Sequence, residues 1–127
     1  MKPGASESLA LSIDLVPTIL AAVGMRPASE MRGVNLLDEE ALRQRKAIFG
    51  ECFTHDAVDL NDPSRNILWR WMIEDRWKII LPSQPEKKTE LYDVLEDPKE
   101  EIDLADKKPE ILESLRGKLD AWWKPGH

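Results

Sequence analysis

His55 and Asp56 are the residues of this 127-residue chain that come closest to an acid/base pair, because an imidazole titrating near neutrality beside a carboxylate is common equipment for moving a proton. Adjacent residues on an extended chain point apart, so the plainer reading makes them polar members of a loop. A second set is Trp69, Trp71 and Trp77 with Arg65, Arg70 and Arg76, which offers aromatic faces for a sugar ring and guanidinium forks for an anion. The competing reading uses the strand period. Ile67, Trp69, Trp71 and Ile73 then share one face and fill a core, while the arginines alternate to solvent. Cys52 is the only cysteine, so no internal disulfide can form, and it reads as a small buried hydrophobe. With His55 and His127 as the only imidazoles, a Cys-rich zinc site is excluded. No catalytic residue and no metal ligand is nominated.

The elements that must position these residues follow from punctuation and period. Residues 1–12 are polar and carry Pro3-Gly4, a turn signal, so they read as a loop. A helix is expected over residues 15–23, with Asp14 as its N-cap, Pro17 at a position that needs no intrahelical donor, and Gly24 as the left-handed residue beyond its end. A start at Ser12 would cost a backbone bond. Its apolar face, with Leu15, Val16, Ile19, Leu20 and Val23, is too broad for one small sheet to cover. Asp38 to Arg43 reads as a short acid-led helical turn. Strands are expected over residues 47–53, 67–73, 77–81 and 90–94, with Glu74-Asp75-Arg76 as the turn of a hairpin and residues 54–65 as a polar loop.

The remainder reads as helix. Asp97-Pro98-Lys99-Glu100 carries an N-cap Asp, Pro at N1 and Glu at N3. Pro109 restarts the helix, and Ile111, Leu112, Leu115, Leu119 and Trp122 form the stripe that faces a sheet, with Trp123 at the rim. The acidic residues from Glu96 to Glu113 make a solvated face. The expected fold class is α+β, an antiparallel sheet of about four strands covered by a C-terminal helix and preceded by another helix.

Composition bounds the function. Eighteen Lys and Arg against 24 Asp and Glu give a net charge of −6, a field that repels phosphate backbones, so nucleic acid is a poor partner. The longest apolar stretch, residues 13–23, is too short and too interrupted to span a bilayer, and no secretory signal is readable, so the compartment stays open.

Three segments in series resemble the C-terminal portion of a type I, formylglycine-dependent sulfatase of the alkaline-phosphatase superfamily. Ser12-Ile13-Asp14-Leu15-Val16-Pro17-Thr18-Ile19-Leu20 with Gly24 and Gly33-Val34-Asn35-Leu36-Leu37 is similar to a stretch near the end of that family's large domain. Arg76-Trp77-Lys78-Ile79-Ile80 is similar to one of its strands. Glu90-Leu91-Tyr92-Asp93-Val94, Asp97-Pro98-Lys99-Glu100-Glu101 and Leu104-Ala105 are similar to the segment that follows. Asn35 stands where the family usually has Ser, and Asp103 where it usually has Asn.

The resemblance implies that residues 1–45 are the tail end of a large domain, carrying the helix over 15–23, and that residues 46–127 are the C-terminal subdomain. It implies sulfate-ester hydrolysis by a formylglycine beside a calcium, both in a part of the enzyme that this chain does not match. Cys52 lacks the Pro at +2 and Arg at +4 of the modified Cys/Ser-x-Pro-x-Arg motif, and the Asp-Asp metal motif has no counterpart. The chain is expected to hold no cofactor and to hydrolyse nothing alone. The resemblance implies that the loop after the first strand approaches the substrate pocket in full-length relatives, which makes His55 and Asp56 substrate-contact candidates, and Arg65 and Arg70 join them from the aromatic and arginine set. Val16, Ile19, Leu20 and Val23 are expected to form an exposed patch that docks on a catalytic sulfatase domain or a second copy. A stand-alone module that holds sulfated carbohydrate on the aromatic and arginine hairpin is the alternative.

Overall fold

The computed structural model describes residues 6–56 and 58–125. The first five residues of the expected leading loop, and His127, lie outside them. The chain divides into two compact units, Met1–Ile48 and Phe49–His127.

The first unit holds helix α1 (Leu15–Ala22) and helix α2 (Glu39–Gln44). Asp38 caps α2 by accepting from the N–H groups of Glu40 and Ala41, as its acid-led sequence predicts. Asp14 does not act as the expected cap. The chain already turns in a short 3-10 helix over Ser12–Asp14, and the Asp14 carboxylate makes no bond to the start of α1. It is fully buried instead, taking Nη1 and Nη2 of Arg45 at 2.6 and 2.7 Å and the backbone N–H groups of Leu11 and Val34 at 2.7 and 2.9 Å. Four donors on one carboxylate satisfy a charge that burial would otherwise make costly. Gly24 has φ +76°, the left-handed conformation expected just past the helix. At Gly33 any side chain would collide with the backbone, because a Cβ would lie 2.1 Å from the carbonyl oxygen of Ile13.

The second unit is built on an antiparallel sheet in the order β1 (Ala47–Phe53), β2 (Ile67–Glu74), β3 (Trp77–Pro82), β4 (Glu90–Asp93), with helix α3 (Pro109–Trp122) packed on β2 and β3. Glu74 pairs with Trp77, so the hairpin turn tightens to Asp75 and Arg76, with Asp75 at φ +53°. Met72 pairs with Ile79 and Ile79 with Leu91, and these three line up across the sheet under Leu115 and Leu119 of α3. All five are buried, which makes them the centre of the core.

That register reverses the expected faces of β2. Arg70 and Met72 point toward α3, whereas Trp69 and Trp71 lie half-buried on the opposite face. The physical reason lies at the end of α3, whose last carbonyls need donors. Arg70 supplies them by donating through Nη1 to the oxygens of Leu119 and Trp123, and through Nη2 to Asp120 Oδ1 at 2.7 Å. Trp122 and Trp123 also exchange their expected roles. Trp123 is already extended and half-buried, and Trp122 lies at the rim, stacked on Phe49 with centroids 5.1 Å apart.

The helix expected at Asp97 does not form. Asp97 caps a turn, its carbonyl accepting from Glu100 N and its carboxylate from Ile102 N. Glu100 adopts φ +57°, outside the helical region, and gives its carboxylate to Lys78 Nζ at 2.7 Å. The helix begins only at Pro109. Cys52 is half-buried rather than buried, at the outer end of β1.

Candidate functional site

The loop that carries three of the four candidate contacts is organised by side chains facing its own backbone. Buried Asn66 accepts at Oδ1 from Val58 N and Asp59 N, and its Nδ2 donates to the Asp59 carbonyl at 2.6 Å. Its own carbonyl takes Thr54 N, which ties the two ends of the loop together. Asp59 accepts from Asn61 N and Asp62 N, and Asp62 caps the 3-10 helix Pro63–Asn66 through Ser64 N. The backbone donors of Asn61 and Asp62, helped by the Arg65 guanidinium, hold the Asp59 carboxyl below the usual carboxylate range. Leu60 stands at the tip, 86% exposed.

On this loop His55 and Asp56 are exposed, and the contact Thr54 makes with Asp56 is to its backbone oxygen. Arg65 is exposed and paired with Asp59 at 3.0 Å. Arg70 lies elsewhere, buried under the end of α3. The structure therefore gathers His55, Asp56 and Arg65 on one loop and separates Arg70 from them. Asn66, Asp59 and Asp62 escaped the sequence reading as loop organisers. Asp62-Pro63 carries the same cap-plus-proline signature noted at Asp97-Pro98, and it was the available signal.

The aromatic and arginine set divides as well. Trp69 and Trp71 share one face of the sheet, and Trp77, paired with Glu74, belongs to the other. Trp69 carries Lys87 Nζ 5.5 Å from its ring centroid and, with Ile80, Pro82, Lys88 and Glu90, lines an open groove of about 470 Å³. Trp77 lies near Arg76 and Lys108 instead. Among the described residues, no group of three or more His, Cys, Asp or Glu side chains is placed to hold a metal ion. No helix among the described residues is long and apolar enough to cross a membrane.

The motif residues in the sequence bind one another. Arg76 reaches Asp93 at 2.6 Å, Lys78 reaches Glu100, and Asp103 takes the N–H groups of Leu91 and Ala105. In the first unit Asp14 holds Val34 N, and Thr18 Oγ1 accepts from Leu36 N at 2.8 Å while donating to the Asp14 carbonyl. A family model described as "N-sulphoglucosamine sulphohydrolase, C-terminal" matches residues 1–124. The chain belongs to that sulfatase C-terminal family.

Solved structures agree on the fold. A Bacteroides thetaiotaomicron sulfatase from a locus for the metabolism of multiple glycosaminoglycans superposes with a TM-score of 0.66 at 22% identity, covering 87% of this chain and 26% of its own. A protein solved in complex with its substrate D-glucosamine-2-N,6-O-disulfate gives 0.57 at 21% identity, covering 88% and 24%. A Bacteroides fragilis protein assigned as a sulfatase gives 0.61 at 19%, covering 86% and 23%. The chain thus spans about a quarter of the length of these structures. No curated protein sequence is significantly similar to it. In this sulfatase C-terminal domain the motif residues serve as joinery between strands, turns and helix.

Proposed function

We propose that this chain serves as the C-terminal part of a sulfatase, packing on the catalytic domain and helping to wall its substrate cleft while holding no catalytic machinery of its own. The observation that carries the reading is the outer face of α1. Val16, Ile19 and Val23 are 52, 61 and 66% exposed, with Leu20 half-buried beside them, in a helix of almost wholly apolar sequence. An apolar face of this kind marks a docking surface. Calcium and the formylglycine belong to the catalytic part in this reading, and His55, Asp56 and Arg65 reach toward the cleft from their pre-organised loop.

The test joins this chain to a catalytic part encoded beside it, recognised by Cys/Ser-x-Pro-x-Arg. Sulfate-ester turnover is expected from the joined protein and is expected to fall at least tenfold with Ile19→Asp. Full turnover with that charge in the face would overturn the docking claim.

The half-exposed Trp69 and Trp71 keep the carbohydrate-binding module as a second reading, with the groove beside Lys87 and Lys88 as its platform. Tryptophan emission then changes on adding a heparin-like polymer. An unchanged spectrum ends this alternative.

A further inference from the structure

A second recess lies on the α3 side of the sheet, at the end where Trp69 pairs with Pro82. It has a volume of about 230 Å³, and its charged lining is Arg70, Arg116 and Lys124 against the single carboxylate of Asp120. That carboxylate is already committed to Arg70 at 2.7 Å. Three cations converge there, Arg116 meets only the exposed Glu113 of its own helix at 3.4 Å, and the recess keeps a positive surplus in a chain of net charge −6.

Arg116 is also incompletely satisfied. Its Nη2 donates to Thr89 Oγ1 at 2.9 Å, and its buried Nε makes no hydrogen bond. The nearest carboxylate oxygen, Glu113 Oε1, lies 3.4 Å from Nε on an exposed side chain without hydrogen-bond alignment. Lys124 has no carboxylate at ion-pair distance among the described residues. The buried Nε lies out of an ion's reach, and a small anion in the recess would meet the outer guanidinium N–H groups and the Lys124 ammonium.

We propose that this recess binds one tetrahedral oxyanion, a sulfate or a sulfo group, held between Arg116 and Lys124 with buried Arg70 as fixed positive background. The volume suits such an ion with some of its water and is too small for an extended oligosaccharide. This site stands apart from the docking reading, because it needs only residues of the second unit. Free sulfate and the end group of a sulfated sugar share the chemistry.

The test is calorimetric titration of the full chain with sodium sulfate at ionic strength fixed by sodium chloride, with the backbone N–H of Ser83, which lines the recess, followed by NMR. Saturable one-site binding and a shift of that resonance are expected. Lys124→Gln and Arg116→Gln are each expected to weaken binding at least tenfold, and Lys107→Gln, on the exposed turn before α3, to leave it unchanged. Thermal melts check that each variant folds. If Arg116→Gln does not, the exposed Lys124→Gln decides alone. A hexose 6-sulfate that binds more tightly through the same residues assigns the site to an ester end group, and one that binds equally or more weakly assigns it to the free ion. A response reproduced by chloride alone, or sulfate binding undiminished in the folded variants, overturns the proposal.

Discussion

At the scale of single residues, the most consequential contact is between Asp14 and Arg45. The Arg45 guanidinium hydrogen bonds pull the Asp14 carboxyl down to about 2, burial opposes them, and the N–H groups of Leu11 and Val34 add to the lowering. A folded-state value below the unfolded one contributes stability above the unfolded pKa and loses it as pH falls through the folded value. From the ordinary 3.8 of an aspartate, that is roughly 2 kcal/mol present above about pH 4 and lost toward pH 2. Amide exchange at Val34 and Leu36 is expected to accelerate across that window. Asp14→Ala is expected to cost about 3–5 kcal/mol, because it strands a largely buried guanidinium. Denaturant unfolding monitored in the first unit measures it, and a loss under 1 kcal/mol would show that the pair is dispensable. Tyr92 offers a second titration, since it is the only tyrosine. Burial, then its hydrogen bond to Glu90, pushes the phenol up to about 12. Absorbance at high pH is expected to show no phenolate near 10 until the fold itself opens.

At the scale of elements, the buried line Met72, Ile79, Leu91 under Leu115 and Leu119 predicts that Leu119→Ala costs about 2–5 kcal/mol. Urea unfolding of the second unit checks it. The four strands and α3 were legible because each carries an apolar run, with Asp75, Pro82 and Pro109 marking the ends of β2, β3 and the start of α3 and a polar loop marking the end of β1. The choice of face in β2 was not. Ile67, Trp69, Trp71 and Ile73 are the more apolar set, but a strand's period says nothing about what the covering helix needs at its end, and α3 needs the donors of Arg70. The capping signature at Asp97 misled for a similar reason. A cap sequence opens a turn as readily as a helix, and the pairing of Glu100 with Lys78, 22 residues away, fixes the turn. At the candidate site, the loop position of His55, Asp56 and Arg65 was readable from polarity. The Asn66 staple was not, because it depends on where the chain returns.

At the scale of the whole molecule, the shared motifs hold the fold together, and the exposed side of α1 is the surface they leave uncovered. The proposed role, service to a catalytic domain without chemistry of its own, is tested at this scale. The most direct measurement is the release of phenol from an aryl sulfate by the purified chain with calcium present. The account predicts none above the buffer rate. Calcium-dependent turnover that disappears in Cys52→Ser would contradict it.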